Sequence, residues 1–126
     1  MKNILIVDDE PHVVRVMTLA LEKNGYKVVS AFNGEQALDK LKEKLPDFLI
    51  TDIDMPRMNG RDLCKKIDEE MPDRKFPILV LTSKTEIEHR EWTRDIQHTM
   101  FLEKPVSIRK LIKLLDDYRN KFGLVA

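Results

Sequence analysis

Five short apolar runs alternate with amphipathic stretches along this chain, and that alternation leaves few folds open. Repeated strand and helix units of this kind build a parallel sheet. Strands are expected near 3–7, 27–31, 47–51, 77–81 and 100–103. A run such as Phe48-Leu49-Ile50-Thr51 has no polar alternation, so it reads as a strand covered on both faces. The first helix should start at Pro11, because a proline in the first turn loses no hydrogen bond. Val13, Val16, Met17 and Ala20 would make its inward stripe, and Gly25 would close it. A second helix is expected from about Gly34, with Ala37, Leu38 and Leu41 facing the core. A third begins after Asn59-Gly60 and buries Leu63, Cys64 and Ile67. The last follows Pro105 and carries the clearest stripe, Ile108, Leu111, Ile112 and Leu115. Between them a fourth, roughly 85–96, is weaker: its positions are mostly charged, and Trp92 falls outside any good helical stripe, so the helix is expected either to be loosely held or to present Trp92 to a partner.

A chain of 126 residues is expected to form one domain, 1–126, around one core. Charged residues make up 35% and the formal net charge is zero, so no bulk positive field exists to hold nucleic acid or an anionic membrane. The lone Cys64 cannot form an internal disulfide. The N-terminus lacks a basic-then-apolar leader pattern, and no apolar stretch approaches the length of a bilayer span. These features lead to the expectation of a cytoplasmic protein. His12, His89 and His98 have no metal-ligand spacing and are expected on the surface.

An acidic residue where a buried strand ends needs a reason. Asp52 follows Phe48-Leu49-Ile50-Thr51 and emerges at the carboxyl end of its strand, which is where open α/β sheets place their ligands. Ile4-Leu5-Ile6-Val7 leads in the same way into Asp8-Asp9-Glu10. If the two strands are neighbours, several carboxylates converge on one pocket, and a hard divalent metal or an ammonium must offset them. Lys104, just past the fifth strand, is the candidate ammonium, and Thr82, just past the fourth, supplies a hydroxyl. Oxygen ligands from Asp9 and Asp52, with a backbone carbonyl and waters, suit octahedral Mg²⁺. The ion then keeps positions for phosphate oxygens, and Asp52 lies in line as the acceptor. Taken alone, Asp8-Asp9 before Pro11 is an ordinary helix-start signature, Thr82 a β-branched strand residue, and Lys104 a solvated stem. Only their combination argues for chemistry.

In its four pieces, Ile4-Leu5-Ile6-Val7-Asp8-Asp9-Glu10-Pro11, Asp52-Ile53-Asp54-Met55-Pro56-Arg57-Met58-Asn59-Gly60, Leu79-Val80-Leu81-Thr82 and Lys104-Pro105, the chain resembles the receiver domain of two-component response regulators, of the stand-alone chemotaxis-regulator type. The resemblance implies a flavodoxin-like, doubly wound five-stranded parallel sheet of order 2-1-3-4-5 with helices on both faces. It implies a signalling module rather than a turnover enzyme. Asp52 would accept a phosphoryl group from a phosphohistidine on a sensor histidine kinase or histidine phosphotransfer protein. Asp9 would bind Mg²⁺ directly, Asp8 through water, and the Asp54 main-chain carbonyl would complete the protein ligands. The acyl phosphate would draw the Thr82 hydroxyl toward it and let Phe101 swing inward. That shifts the face formed by the fourth helix, fifth strand and fifth helix, through which a downstream target or a second copy would be engaged. The resemblance fits equally a free-standing regulator, an intermediate that passes phosphate between Asp52 and a histidine on another protein, and the receiver of a longer regulator.

Phe101 lacks the hydroxyl of the tyrosine often found at its position, so its switching would rest on packing alone. Ser83, Gln97-His98 and Val106 also depart from the usual pattern, which leaves the phosphorylation chemistry standing and makes the output face harder to foresee. Asp54 and Lys84 occupy the variable positions flanking the acceptor and carry opposite charges. They are expected to pair across the mouth of the site, impede the attacking water and lengthen the life of the acyl phosphate. Asp52-Ile53-Asp54 also looks like the nucleophile motif of haloacid-dehalogenase-like phosphatases. In those enzymes the acidic pair follows the nucleophile, whereas here Asp8-Asp9 precedes it. A binding module that works without phosphorylation would have no need for the full set of acids, threonine and lysine.

Overall fold

Each of the five apolar runs forms a strand, and four of them end at an acidic or hydroxyl residue: Asp8 follows the first, and Asp52, Thr82 and Glu103 close the third, fourth and fifth. The computed structural model describes residues 2–53, 55, 57–82, 99–103 and 107–122. Within them the order is β1 (Lys2–Val7), α1 (Pro11–Lys23), β2 (Tyr26–Ala31), α2 (Gly34–Glu43), β3 (Phe48–Asp52), α3 (Gly60–Glu70), β4 (Ile78–Thr82), β5 (Thr99–Glu103) and a C-terminal helix, α4 (Ile108–Phe122). The helix expected near 85–96, with Trp92 and His89, lies outside the described residues, as do Ser83 and Gln97-His98. The strands are all parallel and lie in the order β2-β1-β3-β4-β5. This is the doubly wound, flavodoxin-like arrangement that the resemblance implies.

Side-chain alternation sorts the strand residues between two cores. Leu5, Val7, Leu49, Ile78 and Val80 pack with Ala37 and Leu41 of α2 and Leu63 and Ile67 of α3. Ile4, Ile6, Phe48, Ile50, Leu79 and Leu81 point the other way, onto Val14, Met17 and Leu21 of α1 and Leu111 and Leu115 of α4. Every residue of β3 and β4 is buried, as apolar strands covered on both faces require. The expected stripes of α2 and α3 are observed, with Leu38 at the margin. In α4, Leu111 and Leu115 are buried, while Ile108 and Ile112 are half-buried.

The inward face of α1 differs from expectation. Val16 stands 48% exposed, and Val14, Met17 and Leu21 are the buried residues, with Val13 and Ala20 half-buried. Between Val13 and Leu21 apolar residues occupy nearly every direction around the helix, so periodicity alone does not select the buried face. Its neighbours in the fold do.

Local signals set the other helix starts. Asn33 caps α2 by accepting the Gln36 N–H at 2.9 Å, and the Gln36 side chain accepts the Phe32 N–H at 2.8 Å, a reciprocal capping arrangement. Asn59 caps α3 by accepting the Asp62 N–H at 2.8 Å. At the far end of the sheet the Tyr26 hydroxyl donates to Asp116 Oδ1 at 2.6 Å, tying β2 to α4. Phe48 stands edge-on between the rings of Tyr26 and Tyr118.

Cys64 is fully buried in the α2/α3 core. Burial pushes its thiol from an ordinary 9.0 up to about 12, the charge of Arg74 pulling weakly the other way. The native thiol is therefore protonated and shielded, and it is expected to resist alkylation until the chain unfolds. Mass analysis after iodoacetamide treatment, with and without urea, checks this. Above pH 9.0 the unfolded chain can release the Cys64 proton while the native one cannot. Stability is thus unaffected by this group below that value and falls as pH rises toward about 12. Burial raises Tyr118 in the same direction.

Candidate functional site

Because β1 and β3 are neighbours in register Val7↔Thr51, the residues that follow, Asp8 and Asp52, come out side by side at the carboxyl edge of the sheet. Hydrogen bonds help to hold Asp8: its N–H donates to the Ala31 carbonyl at 3.1 Å, and its Oδ1 accepts the Glu10 N–H at 3.0 Å. Glu10, not Asp8 or Asp9, occupies the cap position of α1, and no side chain caps that helix. The helix-start reading of the acidic pair is thus not what the fold uses.

Asp52 is the last residue of β3. Its Oδ1 accepts the N–H of Ile53 at 2.9 Å, and the Thr51 hydroxyl donates to its carbonyl oxygen at 2.9 Å. Asp8 is 2% exposed and Asp52 7%, whereas Asp9 is exposed. One carboxylate oxygen from each of Asp8, Asp9 and Asp52 lies within 4.8 Å of the other two. Like charges so close repel, and two of them are largely withdrawn from water, so the cluster favours a cation. The donors are all oxygen, with neither thiolate nor imidazole among them, which fits a hard divalent ion such as Mg²⁺, and the exposure of Asp9 keeps one side of the site open to solvent.

Thr82 ends β4 and is buried. Asp52 pairs with Leu81 in register, so Thr82 reaches the same edge one position further along. Phe101 pairs with Val80 from the middle of β5 and is half-buried against the α2/α3 core. The fold therefore brings together Asp8, Asp9, Asp52 and Thr82, with Phe101 one strand away. Asp54, Lys84 and Lys104 lie outside the described residues.

The strand pattern gave no signal for how the segment leaving Asp52 is held. The Gly60 N–H donates to the Ile53 carbonyl at 2.8 Å, which folds the segment back on its own start. At its far side the Gly34 N–H, the first of α2, donates to the Met58 carbonyl at 3.1 Å, and Arg57 Nη1 lies 3.3 Å from Glu35 Oε2. Arg57 has φ 66°, in the left-handed region. The sequence hints here are Asn59-Gly60, which reads as a helix start, and Met55-Pro56, which by itself reads as a turn.

Known proteins share this architecture. A family model described as the response regulator receiver domain matches residues 4–116. The chain is 34% identical over 110 residues to the alkaline phosphatase synthesis transcriptional regulatory protein PhoP of Bacillus subtilis, covering 87% of this chain and 45% of that protein. It is 30% identical over 116 residues to protein PilH of Pseudomonas aeruginosa, covering 92% of this chain and 96% of that one. The chain thus spans about half the length of some curated relatives, PhoP among them, and nearly all of PilH. Among solved structures, it is similar to the chemotaxis response regulator CheY4 of Vibrio cholerae, with TM-score 0.84 and 31% identity, covering 93% of this chain and 98% of that one. Family match, sheet order and acidic edge agree, and the chain belongs to the response regulator receiver domain family.

Proposed function

We propose that the chain is the phosphoacceptor of a two-component or phosphorelay pathway, with Asp52 as the residue phosphorylated. The observation that carries this reading is the meeting of the Asp52 carboxylate, at the end of a wholly buried strand, with those of Asp8 and Asp9. An oxygen of Asp52 attacks the phosphorus of a phosphohistidine on a sensor histidine kinase or histidine phosphotransfer protein. The bond from phosphorus to the histidine nitrogen breaks, and that nitrogen leaves with the electron pair and takes up a proton. Mg²⁺, held by Asp8, Asp9, Asp52 and the main-chain carbonyl of Asp54, would neutralise the charge that gathers on the phosphoryl oxygens. Thr82 donates its hydroxyl to the same oxygens and Lys104 supplies an ammonium. Asp54 and Lys84 restrict the water that would hydrolyse the product.

The output follows from Thr82 and Phe101. A hydroxyl drawn to the phosphoryl group vacates space that the Phe101 ring can fill, which biases the face made by the predicted helix near 85–96, β5 and α4 toward a target protein or a second copy. The chain then acts as a cytoplasmic signalling module that turns over only its own phosphate. No helix among the described residues is long and apolar enough to cross a membrane.

Intact mass after incubation with a small phosphodonor tests the reading. One phosphoryl group per chain is expected, and only with Mg²⁺ present. Continuous release of phosphate from a small ester would instead indicate a phosphatase, and no addition under any donor would leave a module that works without phosphorylation.

A further inference from the structure

The segment between Asp52 and α3 is held at both ends of its excursion. At its base, Asp52 Oδ1 accepts the Ile53 N–H and the Ile53 carbonyl accepts the Gly60 N–H. At its tip, the Met58 carbonyl accepts the Gly34 N–H. The approach at the tip admits only a glycine: a Cβ on Gly34 would stand 2.6 Å from Met58 Cβ and 2.7 Å from the Met58 carbonyl oxygen. Arg57, next to that contact, is held at φ 66°, a conformation that is strained for a residue with a side chain. Such strain persists only where the surroundings impose it, and here they are the Gly34 contact and Glu35. The ion pair to Glu35 is exposed on both sides and contributes little by itself, so the backbone contact is the principal restraint.

We propose that Gly34 and Arg57 are positioning residues for the acidic site. The amino end of α2 clamps the segment that orients the Asp52 carboxylate, and occupancy of the site tightens the amino end of α2 in return. The inference rests on the Mg²⁺ reading above. It assigns α2, which is not among the elements of the expected output face, a thermodynamic link to the site. Coupling between two binding states is reciprocal, so whatever factor the clamp adds to metal affinity, metal returns to the clamp.

The test is Mg²⁺ titration by calorimetry on the native chain and on Gly34→Ala, Arg57→Gly and Tyr26→Phe, with amide hydrogen exchange on the native chain. Disturbing residues that orient metal ligands weakens affinity by about tenfold or more, and Gly34→Ala is expected to do so while keeping its circular dichroism. Arg57→Gly relieves the strained φ and loosens the backbone beside the Gly34–Met58 contact while leaving that hydrogen bond in place, so it should weaken Mg²⁺ binding. The relieved strain offsets the added freedom of the unfolded chain and leaves the unfolding midpoint unmoved. A purely structural role does not produce that split. Tyr26→Phe loses the Asp116 bond at the opposite end of the sheet, so it should lower the midpoint and leave Mg²⁺ affinity unchanged. In the native chain, saturating Mg²⁺ should slow exchange of the Gly34 amide by about the factor that Gly34→Ala removes.

Native-like Mg²⁺ affinity in a folded Gly34→Ala, or a Gly34 amide indifferent to Mg²⁺, overturns the inference while the Mg²⁺ reading stands. A native chain that binds no Mg²⁺ overturns both. Should Gly34→Ala fail to fold, Arg57→Gly and the exchange measurement decide the matter.

Discussion

Asp52→Asn is expected to abolish phosphoryl incorporation completely and, in metal-free buffer, to make the protein more stable. The amide keeps the shape of the carboxylate, and its oxygen can still accept the Ile53 N–H, so the fold is preserved. It does not provide the anionic oxygen that attacks phosphorus. It also removes one of three carboxylates that crowd within 4.8 Å, two of them nearly buried. Each pair of unit charges at such a distance repels by about 1 kcal/mol in water and several times that near a protein surface. Urea unfolding in EDTA should therefore show Asp52→Asn gaining about 1 kcal/mol or more. Added Mg²⁺ reverses the order, since a ligand that binds only the folded state stabilises it by mass action and the native chain offers the fuller donor set. A variant that is still labelled would remove Asp52 from the acceptor role. Equal stability in EDTA would show that the carboxylates do not bear on one another.

Gly60→Ala is expected to be the most damaging small substitution in the described residues around the site. A Cβ there would fall on the Asp52 carbonyl oxygen and approach Ile53 Cα to 2.9 Å. Neither neighbour can yield cheaply, because Asp52 closes a central strand paired on both sides and Ile53 accepts the Gly60 N–H at 2.8 Å. Forcing atoms into such a site costs about 3 kcal/mol, a large share of the roughly 5–15 kcal/mol by which domains are stable. The urea midpoint should fall with the slope of the transition unchanged. A loss below about 1 kcal/mol would mean that α3 can slide away from β3 without penalty.

The strands, their order of appearance and the acidic edge were legible in the residues. Runs such as Phe48–Thr51 and Ile78–Leu81 are too apolar to face water on either side, and Asp52 and Thr82 close them, themselves buried, at the carboxyl edge of the sheet. The starts of α2 and α3 were legible because Asn33 and Asn59 act within three residues of themselves. Even so, Asp8, Asp9 and Asp52 form a site only because β1 and β3 are adjacent, and strand adjacency came from family resemblance rather than from any local pattern.

What tertiary structure alone decided shares one physical cause: each feature is a contact between segments far apart in sequence. The buried face of α1 was ambiguous because Val13, Val14, Val16, Met17, Leu19, Ala20 and Leu21 surround the helix, and only packing onto β1, β2 and α4 turned Val16 outward. Tyr26 and Asp116 are 90 residues apart, and no periodicity links them. Gly34 reads locally as the first residue of a helix, and Arg57 as one more charged loop residue. Their relation to Asp52 arises when α2 and α3 lie side by side on one face of the sheet and two backbones meet closely enough to exclude a side chain. Local chemistry wrote the elements and the reacting groups into the sequence, while close packing between distant segments set how firmly those groups are held.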